Sequence, residues 1–433
     1  MSDLVEENNL MSKKTAHGRV RKFFANLGPG LITGAADDDP SGISTHAVAS
    51  AAFGYLPLWM SLFSFPLMVA VQLMCARLGL VTGRGLAGVV WLYYPRWVLW
   101  GACALLIVAN VFNIGADLGG MGEATEMITG IKSYYWTPVF TALIISLLFF
   151  SSYRHITRVF KWLTLVLFAY VITAFLAQPD WFAVLKATFV PRVVRSSQFL
   201  AVFVAIIGTT ISPYLFFWQA SQEVEDERAH GRITVKEREG ATDEELRAAR
   251  TDVLSGMFFA NIVMYFIVLT TAATLHASGQ TSIETAQQAA EALRPLAGRG
   301  AYLLFTIGIV GTGMLAVPVL AGAAAYAVAE AEQWKHDSLE DRPRLAPRFY
   351  AVVAVAMLLG LGLNFFGFNA VKMLFYSAVL NGILAPPLIL LVVLLNGNPK
   401  IMGSRVSSRP LRYLGWATVV IMTAAAVAMF ATM

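Results

Sequence analysis

A polar run interrupts the first long apolar segment of the chain, and its side chains are of the types that bind cations. Residues 37–42 read Asp-Asp-Asp-Pro-Ser-Gly within the otherwise mostly apolar segment 27–54. Pro40 lacks a backbone N–H and Gly42 adds flexibility, so the pattern predicts an unwound break in a helix. Carboxylate, hydroxyl and backbone carbonyl oxygens are hard ligands that suit Mg²⁺, Mn²⁺ and Ca²⁺. We therefore expect a cation at this break, with Asp39 supplying the charge.

A second interruption lies in the sixth apolar segment, where residues 208–214 read Gly-Thr-Thr-Ile-Ser-Pro-Tyr. Paired interruptions in corresponding halves of a chain indicate a binding site of the kind found in secondary transporters. Unwinding frees carbonyls such as those of Ala36 and Thr209, and Ser212 adds a hydroxyl. A proline alone often only bends a membrane helix, so for this segment a purely structural reading stands equally beside the functional one.

Other polar residues lie at membrane depth, where ionisable groups mark a functional site by default. Asp37 and Asp38 either touch the substrate or face a water-filled vestibule. Asp117, in the third segment, either relays protons or pairs with a cation, or is a hydrogen-bonded structural acid. Ser377 and Asn381 lie one turn apart in the tenth segment. Asn381 either lines a permeation path or bonds a neighbouring helix.

The composition is typical of a chain whose polar residues are positioned by membrane helices. Of 433 residues, 57% are hydrophobic and 14% are charged, against roughly 25% charged in an average soluble domain. So few charges cannot cover soluble surfaces at this length, and the same figures exclude disorder. The net charge of +5 forms no basic stripe for nucleic acid, and the two cysteines lie in apolar runs. The chain is therefore predicted to be a polytopic membrane protein whose surroundings are the lipid bilayer.

A bilayer core of about 30 Å requires about 20 apolar residues per helix, and eleven segments of the chain meet that requirement. With a cytoplasmic N-terminus, most of the 32 Lys and Arg residues fall on the inner side, as the positive-inside rule requires. This orientation places the C-terminus outside, and a bacterial inner (plasma) membrane is the expected location. The predicted spans lie near 27–54, 57–82, 96–122, 136–152, 157–178, 198–221, 252–276, 301–330, 348–366, 371–396 and 414–432.

The two interruptions fall in the first and sixth segments, five spans apart. Because five is odd, a second set of five helices enters the membrane upside down. This predicts an all-α polytopic membrane protein with eleven transmembrane helices, in which a 5+5 inverted repeat contains broken helices 1 and 6. The predicted divisions are a cytoplasmic tail (1–24), a first repeat (25–178), an extracellular connector (179–197), a second repeat (198–396), and an inner loop with the eleventh helix (397–433).

No catalytic set accompanies the predicted cation site. The sequence lacks a phosphate loop, a Cys/His zinc spacing and a Ser/His/Asp arrangement near a common depth. The chain is thus predicted not to be an enzyme and to have no cofactor other than a transported divalent cation. No nucleic-acid partner and no obligate protein partner is evident. We interpret His46, about two turns beyond Asp39, as a satisfied helix histidine, and the scattered methionines mostly as packing residues.

On these motifs the chain resembles the Nramp family of divalent metal transporters over roughly residues 25–430. Its run Gly-Pro-Gly-Leu-Ile-Thr-Gly-Ala-Ala-Asp-Asp-Asp-Pro-Ser-Gly is similar to the family's Gly-Pro-Gly opening followed by Asp-Pro-Gly-Asn. The resemblance implies a LeuT-like fold and a metal bound by the Asp39 carboxylate and by backbone carbonyls at Ala36 and Thr209. Gly42 stands where the family has a metal-binding Asn.

Several residues depart from the family pattern. Residues 212–214, Ser-Pro-Tyr, take the place of the family's Met-Pro-His, and Gly120 replaces a Glu, whereas Asp117 matches the family's aspartate. Losing the soft Met removes a bias towards transition metals, and Tyr214 and Gly120 cannot serve the family's proton path at neutral pH. The chain therefore resembles a divergent branch similar to the Nramp-related magnesium transporters. The small residues at 42 and 212 predict a wider site that holds a partly hydrated ion.

Three functions follow as hypotheses. The first is an alternating-access carrier of divalent cations, with Mg²⁺ and/or Mn²⁺ favoured and with weak or no proton coupling. The second is an ion-coupled symporter of an amino acid or other small organic solute, since one fold serves many substrates; against it, the acidic triplet would repel an anion. The third is a membrane sensor or scaffold, which would need a sizeable soluble domain, whereas the longest polar loop is 223–250.

Overall fold

The computed structural model of the chain describes residues 28–151, 163–335 and 338–432. Over these ranges the chain consists of helices joined by short connections, and no β-strand occurs in them. The predicted all-α class is thus confirmed. The predicted cytoplasmic tail, 1–24, lies outside the described residues, and the predicted division points stay predictions.

Within the described ranges, nine helical stretches are long and apolar enough to cross a membrane. The first predicted span is split into two helices that are each too short to be counted among them. The fifth predicted span, 157–178, falls partly outside the described residues, and its remainder contains the short apolar helix 165–176. The protein is a multi-pass membrane protein, while the count of eleven spans stays a prediction.

The helices fall into two series, one before and one after the extended segment that follows residue 190. In the first series they are α1 (Pro29–Asp37), α2 (Pro40–Phe53), α3 (Leu58–Thr82), α4 (Leu86–Tyr93), α5 (Arg96–Thr129), α6 (Ser133–Phe150), α7 (Phe168–Leu176) and α8 (Trp181–Phe189). In the second series they are α9 (Ser197–Thr210), α10 (Pro213–Ala229), α11 (Val235–Arg238), α12 (Asp243–Thr271), α13 (Ala286–Ala290), α14 (Arg294–Ala297), α15 (Ala301–Ala331), α16 (Pro347–Leu363), α17 (Ala370–Gly397), α18 (Pro399–Met402) and α19 (Arg409–Ala431).

Each broken helix restarts at a proline. Pro40 is the first residue of α2 and Pro213 is the first residue of α10, and two non-helical residues, 38–39 and 211–212, precede them. Proline suits this position because the first N–H groups of a helix have no intrahelical partner. Both predicted breaks are confirmed, and the reading of the second proline as a simple bend is wrong.

Close backbone packing draws α12 onto the first broken helix. A Cβ atom added to Gly30 would lie 2.7 Å from the Val253 nitrogen, and one added to Gly34 would overlap the backbone of Gly256. Small residues at this four-residue spacing allow membrane helices to approach closely. α2 packs in addition against α5, α9 and α17, so the first break is enclosed on all sides by helices of both series.

Candidate cation site between the two helix breaks

The two breaks lie directly against each other. The Tyr214 hydroxyl, at the start of α10, donates a hydrogen bond of 2.9 Å to the Ala36 carbonyl near the end of α1. A Cβ atom added to Gly42 would lie 3.2 Å from Thr209 Oγ1, so the start of α2 also adjoins the end of α9. All four residues are buried. Tertiary packing therefore brings together the two segments that the sequence singles out.

Asp39 closes the first break and caps α2. Its Oδ1 accepts a 2.6 Å hydrogen bond from the Gly42 N–H. The free N–H groups and the positive dipole end of a helix favour an anion at this position, so α2 fixes the carboxylate in the break. His46 is held within the same helix, because its Nδ1–H donates to the Gly42 carbonyl over 2.8 Å. The interpretation of His46 as a satisfied helix histidine is confirmed.

Ser212 closes the second break in a different way. Its hydroxyl lies 2.7 Å from the Thr209 carbonyl oxygen and 3.1 Å from that of Gly208, and it donates to these oxygens. The side chain makes no capping hydrogen bond to α10. The carbonyls of Thr209 and Ala36 thus both accept hydroxyl protons. A carbonyl oxygen has two lone pairs, so each keeps one acceptor position for a cation.

α5 and α17 close the far side of the first break. Asp117 Oδ1, on α5, accepts a hydrogen bond of 3.2 Å from the Ser41 N–H, one residue before the amide that binds Asp39. The Ser41 hydroxyl lies 3.0 Å from the Ser377 hydroxyl of α17, and Ser377 donates to a carbonyl of its own helix, that of Leu374. Two adjacent amides of α2 therefore hold two carboxylates, one from the break itself and one from α5.

Four buried oxygen atoms around the breaks have no hydrogen-bond partner within the described ranges: Asp37 Oδ1, Asp38 Oδ1, Asp117 Oδ2 and Asn381 Oδ1. Leaving a buried charge without a counter-charge costs several kcal/mol, which a bound cation would offset. Among the described residues, no three His, Cys, Asp or Glu side chains form a metal-binding group. A cation here would therefore have to combine carboxylate oxygens with backbone carbonyl and hydroxyl oxygens.

The space beside Gly42 is filled, contrary to the expectation of a wider site at this position. A Cβ atom added to Gly42 would lie 2.7 Å from Cε of Met264, a buried residue of α12. The close glycine packing between α1 and α12 is what brings this side chain to the break. The sequence predicted the methionines mostly as packing residues, but Met264 ends in a thioether, a soft ligand group, and its methyl carbon lies beside Gly42. The Gly30 and Gly34 spacing was the signal that could have revealed this close packing.

Buried polar side chains continue from the breaks towards the N-terminal end of α1. The Thr33 hydroxyl donates to Gln219 Oε1 over 2.6 Å, and Gln219 Nε2 donates to Glu223 Oε1 over 2.8 Å. At the end of this line the Asp252 carboxylate accepts N–H groups of α1, including that of Gly30 at 2.6 Å. This line of residues was not predicted, although the polar residues Gln219 and Glu223, four apart on α10, would have indicated it.

Comparisons with known proteins identify a family and its relatives. The family model described as "Natural resistance-associated macrophage protein-like" (Nramp) matches residues 30–432. A divalent metal cation transporter named MntH, from Erwinia tasmaniensis, is 27% identical over 430 residues, which are 97% of each chain.

Two solved structures share the architecture. A manganese transporter from Eremococcus coleocola, in complex with an aromatic bis-isothiourea substituted compound, superposes with a TM-score of 0.73 at 19% identity, over 95% of this chain and 87% of that one. MhsT in complex with L-phenylalanine superposes with a TM-score of 0.60 at 13% identity, over 93% of this chain and 98% of that one. At such low identity these likenesses establish the fold alone, and they confirm the predicted LeuT-like class.

Proposed function

Because this chain belongs to the Nramp family, we propose that it carries divalent metal cations across the membrane by alternating access. Its relatives are named as divalent metal cation transporters. One observation carries the proposal: buried carboxylates gather where two broken helices meet, and several of their oxygens have no partner among the described residues. Such a site attracts a cation and disfavours an anion.

In this proposal Asp39 is the charged ligand, held by the start of α2. The carbonyls of Ala36 and Thr209 and the hydroxyl of Ser212 supply neutral oxygens, and Gly42 contributes only through its backbone. These five residues form the proposed metal site. The remaining candidates form the proposed pathway around it: Asp37, Asp38, Asp117, Tyr214, Ser377 and Asn381.

We propose Mg²⁺ and/or Mn²⁺ as the substrate, since oxygen ligands suit both ions. Weak or no proton coupling is part of the proposal, because Tyr214 and Gly120 replace the His and Glu of the family pattern. The N-terminus is proposed to be cytoplasmic and the C-terminus outside, in a bacterial inner membrane, as the Lys and Arg distribution supports. Activity of periplasmic and cytoplasmic reporters fused to the C-terminus tests that orientation.

The main test is uptake into proteoliposomes of Mg²⁺, Mn²⁺, Fe²⁺ and Ca²⁺ in parallel. We expect uptake of Mg²⁺ or Mn²⁺ by the wild type and its loss in Asp39→Ala. Asp226→Ala is the matched control, because Asp226 is an exposed aspartate near the end of α10 and its removal should leave uptake unchanged. Equal uptake by wild type and Asp39→Ala would contradict the proposed site.

Proton coupling is tested separately with a pH-sensitive dye inside the same vesicles. During metal uptake we expect the dye signal to stay at the level of empty vesicles. Acidification that follows metal uptake and disappears in Asp39→Ala would contradict the uncoupled part of the proposal while leaving metal transport intact.

The second candidate is an ion-coupled symporter of an amino acid or other small organic solute. The fold likeness to MhsT, solved in complex with L-phenylalanine, is the observation that favours it. Thermal stability of the purified protein discriminates the two. Stabilisation by divalent metals supports the metal carrier, whereas stabilisation by amino acids and not by metals supports the symporter. Metal-dependent conformational change without any flux would instead support a sensor.

A further inference from the structure

A groove separate from the cation site runs between α3, α12 and α19. It has a volume of ≈ 520 Å³, within the range of about 300–1,000 Å³ that is typical of small-molecule sites. Its walls are mostly apolar and include Phe65, Val69, Leu73, Leu254 and Leu414. All three helices are long apolar spans. The natural occupant of such a groove is therefore a molecule that is present in the membrane.

The length of the groove matches one leaflet of a bilayer. One end is bounded by the edge-to-face contact of Phe65 on α3 with Phe258 on α12, whose ring centroids are 6.2 Å apart. The other end is reached at Arg77, twelve residues further along α3, or about 18 Å at 1.5 Å per residue. Half of a bilayer's hydrocarbon core is about 15 Å thick. An acyl chain of a single leaflet would fill this length.

Among the described residues, the charged ones that line the groove are Arg77 and Arg250, which lie at the same end, and none that line it is acidic. Arg77 Nη2 donates to the Arg405 carbonyl over 2.7 Å, which fixes the guanidinium in place. Its Nε atom is buried and has no hydrogen-bond partner among the described residues. Arg250 is exposed. Guanidinium groups bind phosphate oxygens in a bidentate geometry, so this end is suited to a phosphate group.

The first turn of α19 enters the groove at this charged end. Ser408, the N-cap of α19, and Pro410 both line the groove, and no side chain of the described ranges caps this helix. α19 has 23 residues, so the positive end of its dipole and its free N–H groups add to the attraction for an anion. Two arginines and an uncapped helix start thus stand at one end of an apolar channel.

We propose that this groove binds an anionic phospholipid. The phosphate group lies between Arg77, Arg250 and the start of α19, and one acyl chain lies along α3 towards Phe65. Basic pockets between membrane helices recognise anionic head groups in this way. A zwitterionic lipid would place its own cation among the two guanidinium groups, so the groove discriminates between head groups as well as holding a chain.

Native mass spectrometry of the purified full-length chain tests the proposal, with phosphatidylglycerol and phosphatidylcholine of identical acyl chains. We expect phosphatidylglycerol to be retained in preference, and its retention to fall on the order of tenfold in the double variant Arg77→Gln, Arg250→Gln. The control is Arg342→Gln, Arg344→Gln, which removes the same charge from an exposed loop and should not change retention. Equal retention of both lipids, or unchanged retention in the double variant, would overturn the proposal.

A second variant and a second ligand keep the result unambiguous. Leu73→Trp fills the apolar channel while keeping both arginines, so it should also reduce retention of phosphatidylglycerol. Inorganic phosphate in large excess should neither displace the lipid nor reproduce its thermal stabilisation. If phosphate alone did both, the arginines would form a site for a free anion, and a lipid site would be ruled out.

Discussion

The two breaks have the same backbone form but opposite chemistry. Each places two non-helical residues before a proline that starts the next half-helix. In the first break Asp39 points forward and accepts the Gly42 N–H at the start of α2. In the second break Ser212 points backward and donates to the Thr209 carbonyl at the end of α9. The Asp39 side chain thus pairs a free N–H group at a helix start, and the Ser212 side chain pairs a free carbonyl at a helix end.

The difference follows from which orphan groups each residue type can serve. A carboxylate only accepts, so it binds the free N–H groups of a helix start, where the dipole also favours it. A hydroxyl can donate, so it binds the free carbonyls of a helix end. Negative charge is thus concentrated in the first break, and the second break contributes neutral oxygens. A cation between the breaks would be bound mainly by the first.

The strongest test compares Asp39→Asn with Ser212→Ala. Of these two residues Asp39 is the one that carries a negative charge, so its replacement should weaken Mn²⁺ binding on the order of 100-fold, or about 2.7 kcal/mol. Ser212→Ala removes a neutral donor and should weaken binding less than about tenfold. Isothermal titration of both purified variants measures this. Equal losses of Mn²⁺ affinity in the two variants would show that both breaks contribute equally to binding, and would contradict the expectation that the first break dominates.

The next test concerns how the half-helices before the breaks are held. The N-terminus of α1 depends on Asp252 of α12, which accepts three of its N–H groups, whereas α9 begins with its own cap, Ser196. Asp252→Ala should lower the free energy of unfolding by about 2 kcal/mol, and Ser196→Ala should lower it by about 1 kcal/mol. Asp252→Ala should also expose a cysteine placed at Thr33 to thiol reagents. Protection of that cysteine in both variants would show that Asp252 does not hold α1 in place.

A smaller effect is expected where the two breaks are tied together. Tyr214→Phe removes the hydroxyl that donates to the Ala36 carbonyl. We therefore expect the free energy of unfolding, measured by thermal unfolding, to fall by about 1 kcal/mol. Tyr170→Phe is the matched control, because the buried Tyr170 hydroxyl has no partner in the described part of the chain. The two variants unfolding at the same temperature would mean that this contact contributes nothing to the pairing of the breaks.

The smallest expected effect concerns ion preference. Met264 brings a thioether to the first break, so Met264→Leu should reduce the binding of Cd²⁺ relative to Mg²⁺ by about threefold, a loss of about 0.7 kcal/mol. Met257→Leu, on the same helix and also buried, should leave the ratio unchanged. Competition titrations with both ions provide the measurement. An unchanged ratio in Met264→Leu would indicate that the methionine only packs.

The broken helices could be predicted from the sequence because each combines a proline with neighbouring polar residues. Pro40 and Pro213 lack an N–H and follow short polar runs, and both breaks were found at the predicted residues. A proline alone does not end a helix here, since Pro66 lies inside α3 and Pro318 inside α15. The membrane class could likewise be predicted, from the composition. The Gly30 and Gly34 spacing indicates a close helix contact, but it does not indicate which side chain fills the space at Gly42, because that side chain comes from a helix more than 200 residues later.

The hydrogen-bond partners of the predicted ligand oxygens could not be predicted from the sequence either. The sequence indicates that Ala36 and Thr209 lie at breaks, but not that hydroxyl groups already occupy one side of each carbonyl. The Ala36 partner, Tyr214, is 178 positions away in the chain. Helix packing sets such contacts, and one sequence position carries no information on which distant residue will face it.

By itself the sequence determined the bilayer as solvent, the positions of the two breaks and the acidic character of one of them. These are properties of single residues and of local runs, governed by hydration and by backbone geometry. The tertiary structure decided the rest: that the breaks adjoin, that Asp39 caps α2 while Asp117 joins it from α5, and that α12 approaches closely enough to add a thioether. Those outcomes require several helices to pack at once, because close packing is a property of the assembled bundle.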